Sequence, residues 1–143
     1  MMFQRIAGFV VAGLVLAACR TVLPSGFYTH TTIGVGNWRA FEINGHTAAP
    51  GNQAQRPWLH FATDSGIVSG SGGCNRLSGP VSINGASLKF GALAMTRMAC
   101  SDPVMNAQEN SFIASLATID RYTIAGDTLT LFSGDDAKVR LGH

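Results

Sequence analysis

Turn signals recur through this chain at short intervals and confine it to a mostly antiparallel β fold. Asn44 with Gly45, Asp64 to Gly66, Asn84 with Gly85, Gly126 with Asp127 and Gly134 with Asp135 each stand between short runs in which apolar side chains alternate. Residues of these types accept the positive φ of tight turns, and alternation at period two marks strands with one buried face. Trp38 to Ile43 predicts a first strand, although Trp38, Ala40 and Glu42 alternate imperfectly with Arg39, Phe41 and Ile43. Trp58 to Phe61 predicts a second, and Ile67 with Val68 opens a third. Val81 and Ile83 read as one arm of a hairpin with Leu88 and Phe90. Tyr122 with Ile124, Leu129 with Leu131, and Val139 with Leu141 predict a three-stranded meander. The stretch from His46 to Arg56, with Pro50, Gly51 and Asn52 and no apolar anchor, reads as an exposed loop. Gly70, Gly72 and Gly73 crowd the approach to Cys74, as at a bulge or a close backbone contact.

One segment has helical period. Asp102 can cap with its carboxylate, Pro103 suits the first helical position, and Met105, Phe112, Ile113 and Leu116 fall on one face of a helix reaching about Ala117. With about seven to nine short strands, the class is α+β, mostly β: a curved antiparallel sheet or an incomplete (cracked) barrel closed by that one packed helix.

The amino-terminal end carries a different signal. Arg5 precedes the eleven-residue apolar run Ile6 to Leu16, which has signal-peptide length and is too short for a membrane span. Leu16, Ala17, Ala18 and Cys19 resemble a lipobox, which makes residues 1–18 a lipoprotein signal peptide and Cys19 a lipidated first residue. The alternative is a cleaved, soluble secretory protein. Acyl chains contribute about 0.8 kcal/mol per buried methylene, so several on one cysteine anchor stably. Arg20, where an Asp would signal retention, leans toward the outer membrane facing the periplasm. Residues 19–36 are polar and Thr-rich without sustained period and read as a flexible tether, so the domain is assigned to residues 37–143.

Cys19 to His143 is 125 residues, enough for one core and too few for two. Of ten basic residues one, Arg5, lies in the leader, which leaves nine spread among eight acidic ones. No basic cluster points to nucleic acid. Of three cysteines, Cys74 and Cys100 remain once Cys19 is assigned to lipid, and an even pair in an oxidising compartment reads as a disulfide. A metal pair or a catalytic thiol are the rivals; neither a C-x-x-C spacing nor a nearby histidine supports them.

The block Gly70 to Gly79, with Gly73, Cys74, Asn75 and Arg76 at its centre, is joined to Leu88 to Cys100, which ends Thr96, Arg97, Met98, Ala99 and Cys100. This resembles the META domain family, with its heat-inducible HslJ-like envelope members. The resemblance continues through Glu109, Phe112 and Leu116 to Tyr122–Leu131, and covers nearly all of Asn37 to Leu141. Pro80 departs from the family pattern, which often has an aromatic residue there. The resemblance implies a small envelope protein linked to heat or antibiotic stress, without an agreed biochemical activity, and a fold similar to a cracked barrel of the secretion-pilot type.

Glu109 is the residue of most interest, because its spacing from Met105, Phe112 and Leu116 puts a carboxylate on or beside the apolar stripe. A buried charge needs partners. Arg76 and Arg97 flank the cysteines and are the expected cations, with further hydrogen bonds from the glycine-rich segment. Asn75 and Thr96 are read as satisfying backbone groups. His30, His46, His60 and His143 lack metal-ligand spacing, and Ser69 and Ser71 lie in neither a nucleophile elbow nor a P-loop. No catalytic residue, metal or cofactor is proposed. The expected partners are the membrane, through the lipid anchor, and either an envelope protein or an apolar ligand held in the open barrel.

Overall fold

The computed structural model describes residues 32–34, 36–51 and 55–143. The signal peptide, Cys19, His30 and most of the tether lie outside the described residues. In chain order the elements are β1 (Asn37–Ile43), β2 (His46–Thr47), β3 (Trp58–Ala62), β4 (Ile67–Ser71), β5 (Arg76–Asn84), β6 (Ser87–Phe90), β7 (Ala94–Met95), α1 (Pro103–Leu116), β8 (Arg121–Ala125), β9 (Thr128–Ser133) and β10 (Asp136–Gly142). No helix among the described residues is long and apolar enough to cross a membrane.

Eight strands pair antiparallel in a ring, β1-β3-β4-β5-β6-β8-β9-β10, and β10 returns to β1. The expected cracked barrel is therefore corrected to a closed one. Closure rests on Arg39 opposite Gly142, Ala40 opposite Leu141, Glu42 opposite Arg140 and Ile43 opposite Val139. The register slips between Ala40 and Glu42, a bulge that bends β1. That bulge also explains the imperfect alternation, since Trp38, Ala40 and Ile43 all end up buried. The seam is thinnest between β6 and β8, where Ser87 opposite Arg121 is the one paired position. Backbone bonds from Leu88 N–H to the Asp120 carbonyl (3.1 Å) and from Tyr122 N–H to the Ala86 carbonyl (3.0 Å) complete it.

The barrel interior is filled. Leu59, Phe61, Val68, Leu88, Leu129, Leu131 and Leu141 point in from the strands with no solvent exposure, and the helix adds Phe112 and Leu116 on the same terms. The Phe61 and Phe90 rings lie 6.2 Å apart, centroid to centroid. The helix begins as its cap signal demands: the Asp102 carboxylate accepts from Val104 N–H at 2.8 Å, Pro103 takes the first position, and Ala117 ends it.

The core reaches beyond the expected limits in two places. Ile33, within the stretch read as tether, is 1% exposed and packs with the core cluster. The loop read from His46 begins as β2, paired with β1 at Glu42 and Ile43, and Ala48 behind it is buried. The Gln108 side chain holds this segment to the helix, accepting from Ala49 N–H at 2.7 Å and donating to the Ala49 carbonyl at 3.0 Å. Pro80 sits in β5 opposite Ile67, the last position paired with β4 before Val81 meets Phe90 of β6.

Candidate functional site

The glycine-rich turn between β4 and β5 is shaped around one carboxylate. Glu109, on the inner face of α1, is 5% exposed. Its Oε2 accepts backbone N–H groups from Cys74 (3.1 Å) and Asn75 (2.6 Å), and its Oε1 accepts the Asn75 side-chain amide at 2.6 Å. A methyl group at Gly72 would stand 2.5 Å from Glu109 Cγ and 2.7 Å from Oε2, so only glycine lets the turn close over the acid. Gly73 follows with φ of 112°, a conformation that side chains disfavour.

Asn75 relays this arrangement outward. Its Oδ1 accepts Met98 N–H at 2.7 Å and the Thr96 hydroxyl at 3.0 Å, and its Nδ2 lies 3.7 Å from Cys100 Sγ. Thr96 is bound to Arg76 in both directions, taking its N–H on Oγ1 and giving its own N–H to the Arg76 carbonyl, each at 3.0 Å. These bonds extend the pairing of β7 with β5, which sets Met95 opposite Leu77 and Ala94 opposite Ser78, and the Thr96 hydroxyl adds one that a two-residue strand cannot. Cys74 and Cys100 form a disulfide across the same junction, with Cα atoms 6.2 Å apart. The site residues read from the sequence around the two cysteines thus gather in one place, Cys19 lying outside the described residues, with one correction. Neither Arg76 nor Arg97 pairs with Glu109: both guanidinium side chains are exposed and neither forms an ion pair among the described residues. Amide donors take the place of the expected cation, because the turn delivers them at hydrogen-bond distance inside the core and an arginine would have to be desolvated to do so.

Among the described residues every hydrogen bond of the Glu109 carboxylate is made to the fold, and no other carboxylate or histidine is bonded to it. Among the described residues no group of three or more His, Cys, Asp or Glu side chains could hold a metal ion. The arrangement is a brace between helix, turn and disulfide. At strand spacing Trp58 reads most simply as a core aromatic; it is instead half-buried on the outer face of β3 and walls a hollow of about 420 Å³ with Arg76, Thr96 and Met98. Its position next to Arg76 follows only from strand register.

Comparison with known proteins agrees with this anatomy. Heat shock protein HslJ of Escherichia coli (strain K12) is 27% identical over 133 residues, covering 90% of this chain and 88% of the relative. An NMR structure of a protein from Burkholderia xenovorans superposes with a TM-score of 0.59 at 27% identity, over 74% of this chain and 79% of that one. A crystal structure of a DUF4847 family protein from Bacteroides vulgatus, at 15% identity and a TM-score of 0.52 over 76% of this chain and 92% of that one, shares the fold. The META domain family model matches residues 31–142, a span that starts just before the buried Ile33 and ends with the closing strand β10. From the glycine turn over Glu109 to the strand that seals the ring, this chain belongs to the META domain family.

Proposed function

We infer that this protein is a cell-envelope lipoprotein, anchored through Cys19 with its META domain facing the periplasm, and that the domain is a non-enzymatic binding or assembly module in heat or antibiotic tolerance. The observation that carries the non-enzymatic reading is the bonding of Glu109: the one buried carboxylate is spent on bracing the fold. Family membership and the similarity to a heat shock protein support the stress setting. The lipobox-like Leu16 to Cys19 supports the anchor. A barrel filled by Phe61, Phe112 and leucines favours action through the outer surface over carriage of an apolar ligand inside.

The test is survival of a strain lacking the gene, under heat and under antibiotic, complemented by the wild-type chain or by Cys19→Ser. The reading expects sensitivity in the deletion, rescue by the wild type, and loss of rescue together with membrane release for Cys19→Ser. Full rescue by a soluble Cys19→Ser chain would remove the anchor from the function. An unaltered deletion strain would remove the tolerance role.

A further inference from the structure

The outer face of the ring across β1, β3, β4 and β5 carries a second constellation, which adjoins the Glu109 brace and shares Thr96 with it. Register sets Arg39 opposite Trp58, Trp58 opposite Ser71, and Ser71 opposite Arg76. Directly opposed residues share one face of a sheet. Their chain neighbours Trp38, Leu59, Gly70 and Leu77 are buried, so this row points away from the core. A parallel outer row runs through His60, Ser69 and Ser78. Two adjoining hollows, of about 420 and 470 Å³, open over these rows, and Trp58, Arg76 and Thr96 wall both.

Three properties limit what fits there. The wall is a half-buried indole, a flat apolar surface beside a polar floor. The charge has one sign: among the described residues Arg76 is the one ionisable side chain lining either hollow besides the disulfide-bonded Cys74. Neither Arg76 nor Arg39 has an ion pair among the described residues, whereas Arg121 and Arg140 each have a carboxylate. A guanidinium in that state offers a planar donor fork matched to phosphate or carboxylate. The floor is hydroxyl: Ser69, Ser71 and Ser78 line the hollows, each able to donate and accept. An aliphatic ligand would waste the serines and the cation. A planar base would find one aromatic wall and, among the described residues, no second ring to sandwich it.

We propose that this face binds an anionic saccharide, a sugar ring bearing a phosphate or carboxylate group. The C–H face of the ring lies on the Trp58 indole, its hydroxyls meet the serine rows, and its acid group takes the Arg76 fork, with Arg39 on the other side of the indole. The proposal rests on the binding-module reading above for where such a sugar is met, and on this geometry for the site.

The test uses the full-length lipidated chain in detergent micelles, with N-acetylglucosamine 1-phosphate as the probe and N-acetylglucosamine and inorganic phosphate as controls, followed through the two indole N–H resonances. The expected result is a saturable shift of the Trp58 resonance with Trp38 unmoved. Arg76→Gln should weaken binding by about tenfold, as should loss of either the phosphate or the sugar from the probe. Among the described residues the Arg76 side chain makes no bond that the fold uses, so this variant keeps its unfolding temperature; Arg39→Gln is the second variant, with a smaller loss. No saturable shift, an equal response to phosphate alone, or undiminished binding by Arg76→Gln would each overturn the site. Such a failure leaves the survival test untouched, and sugar binding in a chain dispensable for survival removes the tolerance role and keeps the site.

Discussion

Asn75 holds Glu109 twice, through its backbone N–H to Oε2 and its side-chain amide to Oε1, each at 2.6 Å. The amide cannot turn over to suit a different partner, because its oxygen is already held by Thr96 and Met98. The carboxylate therefore meets donors on both oxygens, with no acceptor facing either.

Glu109→Gln puts an NH₂ group where two donors converge, at Oε2, or where one points, at Oε1. Whichever oxygen it replaces, a donor faces a donor, and a buried amide left unsatisfied costs about 1–3 kcal/mol. Thermal unfolding should fall by about 5 °C or more. An unchanged unfolding temperature would show that the brace contributes nothing.

Gly72→Ala should destabilise by about 1–3 kcal/mol through overpacking, since its methyl group would stand 2.5 Å from Glu109 Cγ. Glu109→Ala removes that atom. The double variant should therefore lose less than the two single losses combined, and denaturant unfolding of all four proteins gives the coupling directly.

The Cys74 and Cys100 disulfide spans 26 residues, including β5, β6 and β7. Replacing both cysteines by serine should cost about 3–4 kcal/mol on the chain-entropy view. Intact mass with and without reductant identifies the bond. A thiol label found on Cys74 or Cys100 in native chains before reduction would exclude it.

Burial pushes the Tyr122 phenol above its usual pKa of 10.0. The folded state therefore favours the neutral phenol, and that stabilisation is complete below about pH 10 and is lost as pH rises beyond it. Stability of the wild type should fall more steeply above about pH 10 than stability of Tyr122→Phe, as measured by denaturant midpoints across an alkaline series.

How far the fold could be read from the chain depended on the distance over which each feature is specified. The helix from Pro103, the meander from Arg121 and the hairpin at Gly85 are written in caps, turn residues and alternation within a few positions, and they stand where those signals place them. Ring closure is not local: β1 and β10 lie about a hundred residues apart, and the bulge after Ala40 hides half of the pattern that would match them. The short strands β2 and β7 escaped because Gln108, Asn75 and Thr96 side chains secure their surroundings, and periodicity does not register such bonds. Glu109 was legible as a buried acid, and the glycine run marked the backbone N–H groups that meet it, those of Cys74 and Asn75. Charge pairing pointed to the arginines as well, where the Asn75 side-chain amide stands instead. The outer row of Arg39, Trp58, Ser71 and Arg76 needs four strands in register and is written in none of them alone.

Sealing the ring through β1 and β10 also sets the order of events when the protein forms. A chain emerging from its amino terminus can make the β3-β4-β5-β6 hairpins early, but β1 keeps an unpaired edge until Asp136–Gly142 arrives. Pairings of such long sequence separation belong to the slow end of single-domain folding, about milliseconds to seconds. For that interval the nascent domain exposes a strand edge able to pair with another chain, and the last seven-residue strand is what withdraws it.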